Sequence, residues 1–105
     1  MVLIETKIFT RRIRLFLADD EYREFQSELA ARPEMGKIIS GSGGLRKVRW
    51  SASGEGKRGG VRIIYYWLTA RDTILLLFVY SKHEKDDLTN NQIKQLRKLI
   101  DEDYL

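Results

Sequence analysis

Residues 61–80, VRIIYYWLTARDTILLLFVY, decide the fold. Val61–Leu68 is dense in β-branched and aromatic residues and reads as a central strand. Ile74–Tyr80 is a continuous apolar run, suited to a strand buried on both faces or nearly so. Thr69–Thr73 supplies the turn between them. Upstream, LRKVRW over 45–50 alternates, with Lys47 and Arg49 on one face and Val48 and Trp50 on the other. All eight glycines fall between Gly36 and Gly60, and the second glycine-rich stretch connects this strand to the central one. Downstream, Thr89-Asn90-Asn91-Gln92 is a capping box, with Leu88 and Ile93 as its hydrophobic staple. Ile93, Leu96, Leu99 and Ile100 continue it as the buried stripe of a helix.

The chain before this region predicts a short strand at Val2–Ile4 and a helix over about 7–17, with Ile8, Phe9, Ile13, Phe16 and Leu17 at helical spacing. A second helix is expected over roughly 20–32. Asp19 and Asp20 are its cap candidates, Tyr22, Phe25 and Leu29 form its stripe, and Pro33 ends it. The predicted order is β-α-α-β-β-β-α. This is an α+β fold: an antiparallel sheet of three or four strands with the N-terminal helices and the C-terminal helix on one side. No repeat or linker interrupts residues 1–105, so one domain is expected.

The absence of cysteine excludes disulfides, thiolate metal sites and cysteine nucleophiles, and a single histidine excludes a multi-histidine metal site. No metal or cofactor is expected. The start lacks the pattern of a signal peptide, and the longest apolar run is too short to span a bilayer, so the expected location is cytoplasmic, with no membrane partner. Charge is unevenly distributed. Residues 37–71 hold eight basic side chains and one acid, Glu55, whereas the remainder is mildly acidic. A basic middle points to a polyanionic partner.

With all helices on one face, the other face is free for a ligand. Lys47 and Arg49 share a face, Arg62 opens the next strand beside them, and the intervening loop adds Lys57 and Arg58. Tyr66 falls on the Arg62 face by period two and is a candidate for stacking on a base. Other residues have plainer readings. Trp50, Trp67 and Tyr65 suit the core, Lys37 and Arg71 are surface charges, and Arg46 lies on the helix side. GEGKRGG matches no phosphate-binding signature.

Three ordered runs carry a family resemblance: GSGGLRKVRW over 41–50, GKRGGVRIIYYW over 56–67, and LLLFVYSKHEKDDLTNNQIKQL over 75–96. Together with EYREFQSELAARPEMG over 21–36, they resemble the HigB-type toxins of the RelE/ParE superfamily across nearly the whole chain. The resemblance implies a RelE-like fold and metal-independent cleavage of messenger RNA on the ribosome. It also implies a HigA-like, helix-turn-helix antitoxin, through which alone DNA would be contacted. The family's basic strand positions fall on Lys47 and Arg49, its central arginine on Arg62, and the segment that closes the site on Tyr80, Lys82, His83 and Glu84. RelE itself has a tyrosine where this chain has Thr89, so the proton donor does not carry over. Arg49 and Arg62 suit transition-state charge, Lys47 or Lys57 suits a base or acid, and His83 is a further acid candidate. The acids lie mostly outside the basic middle, so a carboxylate in the cationic patch is not expected. Two alternatives share features of this reading: a gyrase-poisoning ParE-like toxin, and a non-catalytic RNA-binding module.

Overall fold

The computed structural model describes residues 1–51 and 60–105. It is α+β, with strands β1 (Val2–Glu5), β2 (Lys37–Ile38), β3 (Arg46–Trp50), β4 (Val61–Leu68) and β5 (Thr73–Ser81), and helices α1 (Lys7–Phe16), α2 (Asp19–Ala31) and α3 (Asn90–Asp103). The strands form one sheet in the order β1-β5-β4-β3-β2. All neighbours are antiparallel except β1 and β5, which run parallel.

The sheet thus has five strands rather than three or four. The extra one, β2, is a two-residue strand whose residues carry no alternating apolar signal. Helix placement also differs from the one-sided expectation. Phe9, Ile13, Phe25 and Leu29 of α1 and α2 pack with Ile63, Tyr65, Ile74, Leu76 and Val79. Ile100 of α3, with Ile93, Leu96 and Leu99 beside it, packs with Ile64, Leu68, Leu75 and Leu77. Successive strand residues point to opposite faces, so α3 lies across the sheet from α1 and α2. The physical reason lies in the central strands. Both are apolar at odd and even positions alike, so a bare second face would leave Ile64, Leu75 and Leu77 in water.

Local chemistry sets the ends of these elements. Thr6 caps α1 by accepting from the Phe9 N–H (3.1 Å). The N-cap of α2 is Ala18, not an aspartate. Asp19 and Asp20 occupy its first turn, where they complement the helix dipole, and Glu21 accepts from the Ala18 N–H (3.0 Å). The predicted capping box of α3 is present in full. Thr89 Oγ1 accepts from Gln92 N–H (3.1 Å) and Gln92 Oε1 from Thr89 N–H (2.9 Å). After α2 the chain is pinned by Tyr65, whose hydroxyl accepts from Gly36 N–H (2.8 Å) and donates to the Pro33 carbonyl (2.5 Å). A Cβ at Gly36 would lie 2.7 Å from that ring, which is why glycine stands there.

One irregularity decides what reaches the site. Ile64 pairs with Phe78 but Tyr65 with Leu76, leaving Leu77 as an extra residue in β5. This bulge reverses the alternation beyond it. Tyr80 therefore shares the α3 face with Leu75 and Leu77, opposite Val79.

Candidate active site

The α3 face changes character along the strands. Where α3 covers it, β4 presents Ile64, Tyr66 and Leu68. Past the helix the same face becomes cationic. Arg49 of β3 lies opposite Arg62 of β4, Arg62 lies opposite Tyr80 of β5, and Lys47 sits beside them opposite Ile64. Paired residues of adjacent strands project from the same face with Cβ atoms about 5 Å apart. Arg49, Arg62 and Tyr80 thus form a row across three strands, with Lys47 one step to the side. The site shares a face with a helix instead of occupying a helix-free side.

Within the row the side chains differ in burial. Arg49 is exposed. Arg62 is only 5% exposed, and its Nη1 donates to the Gly60 carbonyl (3.0 Å), bracing the start of β4. Tyr80 is fully buried, with its ring 6.0 Å from that of Phe78. Its hydroxyl has no hydrogen-bond partner among the described residues. Burial, reinforced by the charge of Asp87, pushes the Tyr80 phenol up to about 12, against the opposing pull of Arg62 and Arg49.

Asp87 is the residue that sequence reasoning missed. It lies outside the basic middle of the sequence, yet the turn after β5 carries its carboxylate to Lys47 Nζ (2.5 Å). The hydrogen bond and charge of Lys47, followed by Arg49 and Arg62, hold Asp87 below the usual carboxylate range, while partial burial opposes them. The segment from Ser81 to Thr89 is irregular, so no periodicity in the sequence could reveal this contact. Among the described residues, no group of three or more histidines, cysteines or carboxylates is placed to hold a metal ion.

The other sequence candidates are placed as follows. Tyr66 shares the Arg62 face but stands four residues away, about 13 Å along the strand. Arg97 of α3 sits over its ring (5.2 Å), so Tyr66 belongs to the helix-covered end. Glu84 is held away from the row by a bidentate contact with Arg12 (2.6 and 2.8 Å). Arg12 also donates to the Val79 carbonyl (2.8 Å) and lies over Phe78. Lys82 and His83 are exposed in the same turn. Lys57 and Arg58 lie outside the described residues. Trp50 packs edge-on against Phe25 (5.2 Å), a core role as expected, and also lines the edge groove.

That groove, about 540 Å³, runs along β3, lined by Glu28 as well as Arg32, Lys37, Lys47, Arg49 and Trp50. Lys37, read from sequence as a plain surface charge, lies directly opposite Lys47 and belongs to this groove. The groove joins the cationic row around the sheet edge. Exposed cations of the groove, Arg49 and Lys37, with the half-buried Lys47 between them, are of the types that match phosphate oxygens.

The fold and this row define a small α+β protein with a row of cationic side chains on a mostly antiparallel sheet. The chain belongs to the family of the RelE toxin of the RelE/RelB toxin–antitoxin system, whose model matches residues 2–103. Its fold is similar to that in the crystal structure of the intact E. coli RelBE toxin–antitoxin complex (TM-score 0.56, 16% identity), covering 74% of this chain and 92% of that one. It is also similar to a double arginine-to-alanine mutant of the E. coli toxin RelE in the free state (TM-score 0.58, 14% identity), covering 81% and 86% of the two chains.

Proposed function

We propose that this chain is a one-domain, HigB-type toxin that acts in the cytoplasm and cleaves messenger RNA on the ribosome, arresting translation and growth. The observation that carries this reading is the row of Arg49, Arg62 and Tyr80 with Lys47 beside it, of which Arg49 and Lys47 also line the edge groove. These residue types suit cleavage by the substrate's own 2′-hydroxyl. The 2′-oxygen loses its proton, bonds to phosphorus, and displaces the 5′-oxygen, which takes up a proton. The products are a 2′,3′-cyclic phosphate and a 5′-hydroxyl end. Arg62 and Arg49 neutralise charge developing on the phosphoryl oxygens. Lys47 exchanges its Asp87 partner for the incoming RNA and takes part in proton transfer, with Lys57, Lys82 and His83 as further candidates. Arg58 and Glu84 are further candidates for contact with the RNA.

The ribosome holds and orients the substrate, so the toxin needs only a sparse apparatus of its own. A cognate helix-turn-helix antitoxin restrains it. Support comes from family membership and from a similar fold found in a toxin–antitoxin complex. The test is induction in a bacterium with genome-wide mapping of transcript 5′ ends. Cuts inside translated frames that bear 5′-hydroxyls are expected. Intact messages with DNA-damage signalling would instead establish gyrase poisoning, and 5′-phosphate ends would overturn the 2′-hydroxyl chemistry.

A further inference from the structure

Tyr80 is the one fully buried residue of the row. Its aromatic ring is accounted for by packing with Phe78 (6.0 Å) and by its place in the α3-side core. Its hydroxyl is not. The oxygen is sealed from solvent and has no hydrogen-bond partner among the described residues. A buried hydroxyl without a partner opposes folding, and phenylalanine would fill the same space without that penalty. The carboxylate nearest in charge, Asp87, is committed to Lys47 and does not accept from Tyr80. Besides Asp87, the charges acting on the hydroxyl are guanidinium groups: Arg62 lies directly opposite on β4, and Arg49 is next in the row. A neutral O–H donor, left unpaired amid guanidinium groups, lacks an anionic oxygen.

We propose that Tyr80 is a catalytic residue whose hydroxyl, covered in the free protein and uncovered as Lys47 releases Asp87 to the incoming RNA, donates a hydrogen bond to a non-bridging oxygen of the scissile phosphodiester, alongside Arg62. The assignment rests on the proposed RNA cleavage and gives that site its neutral donor. No proton leaves Tyr80 during the reaction, in keeping with a phenol held up to about 12. The hydrogen bond strengthens as charge accumulates on the phosphoryl oxygens, so its contribution falls on the chemical step more than on binding.

The experiment compares Tyr80→Phe with wild type in single-turnover cleavage on programmed ribosomes. Binding of a 2′-O-methyl RNA and thermal melting of the free protein are measured alongside. The variant should cleave about 100-fold more slowly, the loss typical of one donor to transition-state charge. It should bind the 2′-O-methyl RNA within a few-fold of wild type and melt at the same or a higher temperature. Substrates with sulfur in place of either non-bridging oxygen give a readout that a packing role would not move. For one of the two diastereomers the penalty of Tyr80→Phe should shrink, because sulfur is the poorer acceptor and the two losses overlap. Cleavage by the variant within two-fold of wild type overturns the assignment. So does an equal penalty on all three substrates, or a lowered melting temperature, which would mean that the hydroxyl is already paired. If wild type itself makes no cuts, the ribonuclease reading fails and this assignment falls with it. Loss confined to the variant bears on Tyr80 alone.

Discussion

Arg49 and Arg62 face each other across two strands, but one is exposed and the other 5% exposed. That difference separates stability from chemistry. Arg49→Ala removes a side chain from water and should change stability by no more than about 0.5 kcal/mol, while slowing cleavage roughly 100-fold. Arg62→Ala should slow cleavage as much, but it also vacates a buried volume and strips the Gly60 carbonyl of its donor. A further destabilisation of about 1–3 kcal/mol is expected. Denaturant melts of the two variants beside rate measurements test the contrast, with Lys98→Ala on the outside of α3 as control. Asp87 gives the opposite sign. Its carboxylate neutralises Lys47 in the free protein, so Asp87→Asn leaves a cation unanswered. RNA should bind more tightly, and the slope of log affinity against log salt should steepen by about one. An unchanged slope would show that Asp87 does not compete with phosphate.

Among the elements, α3 has the largest influence on the site. It covers the apolar part of the second sheet face, and the turn leading into it carries Asp87. Its start depends on reciprocal hydrogen bonds between Thr89 and Gln92. Thr89→Ala should therefore cost about 1 kcal/mol, seen as a shifted denaturant midpoint with an unchanged slope. If the midpoint does not move, the cap is not what holds the start of α3. The bulge in β5 has a comparable effect. Through the extra residue at Leu77, Tyr80 reaches the face of Arg62 instead of the α1–α2 core.

For the molecule as a whole, two buried tyrosines and the half-buried Tyr22 set a response to alkaline pH. Burial raises Tyr22, Tyr65 and Tyr80 above the ordinary phenol value of 10.0, with Tyr80 near 12 and Glu5 adding to the shift at Tyr22. Below about pH 10 these groups are protonated whether the chain is folded or not, and their contribution is full. As pH rises further, the unfolded chain releases protons that the native state keeps, so stability falls towards pH 12. Between pH 10 and 12 the decline should be shallower in Tyr80→Phe by up to about 1.4 kcal/mol per pH unit, one proton's worth. Chemical denaturation at a series of alkaline pH values measures this. Parallel curves for the two proteins would mean that Tyr80 titrates alike in both states.

The sequence by itself determined the strands over 45–50, 61–68 and 74–80, the three helices and the capping box of α3, because each rests on local periodicity or on contacts three or four residues apart. It also determined which face of LRKVRW carries Lys47 and Arg49, since alternation along an unbroken strand is a local property. Sequence likewise placed Arg62 at the start of the next strand, beside Lys47 and Arg49. Only the tertiary structure decided the rest. The two-residue β2 exists through its pairing with β3, and β1, marked as a strand by the sequence, takes its parallel place through pairing with the distant β5. The sidedness of α3 follows from which apolar face remained uncovered. Phe78 sits opposite Ile64, but Leu76 sits opposite Tyr65, and that offset cannot be read from β5 alone. Asp87 reaches Lys47 across 40 residues through an irregular turn. Local pattern says which way a side chain points along its own strand, whereas the site is made where strands and a turn distant in sequence are brought side by side.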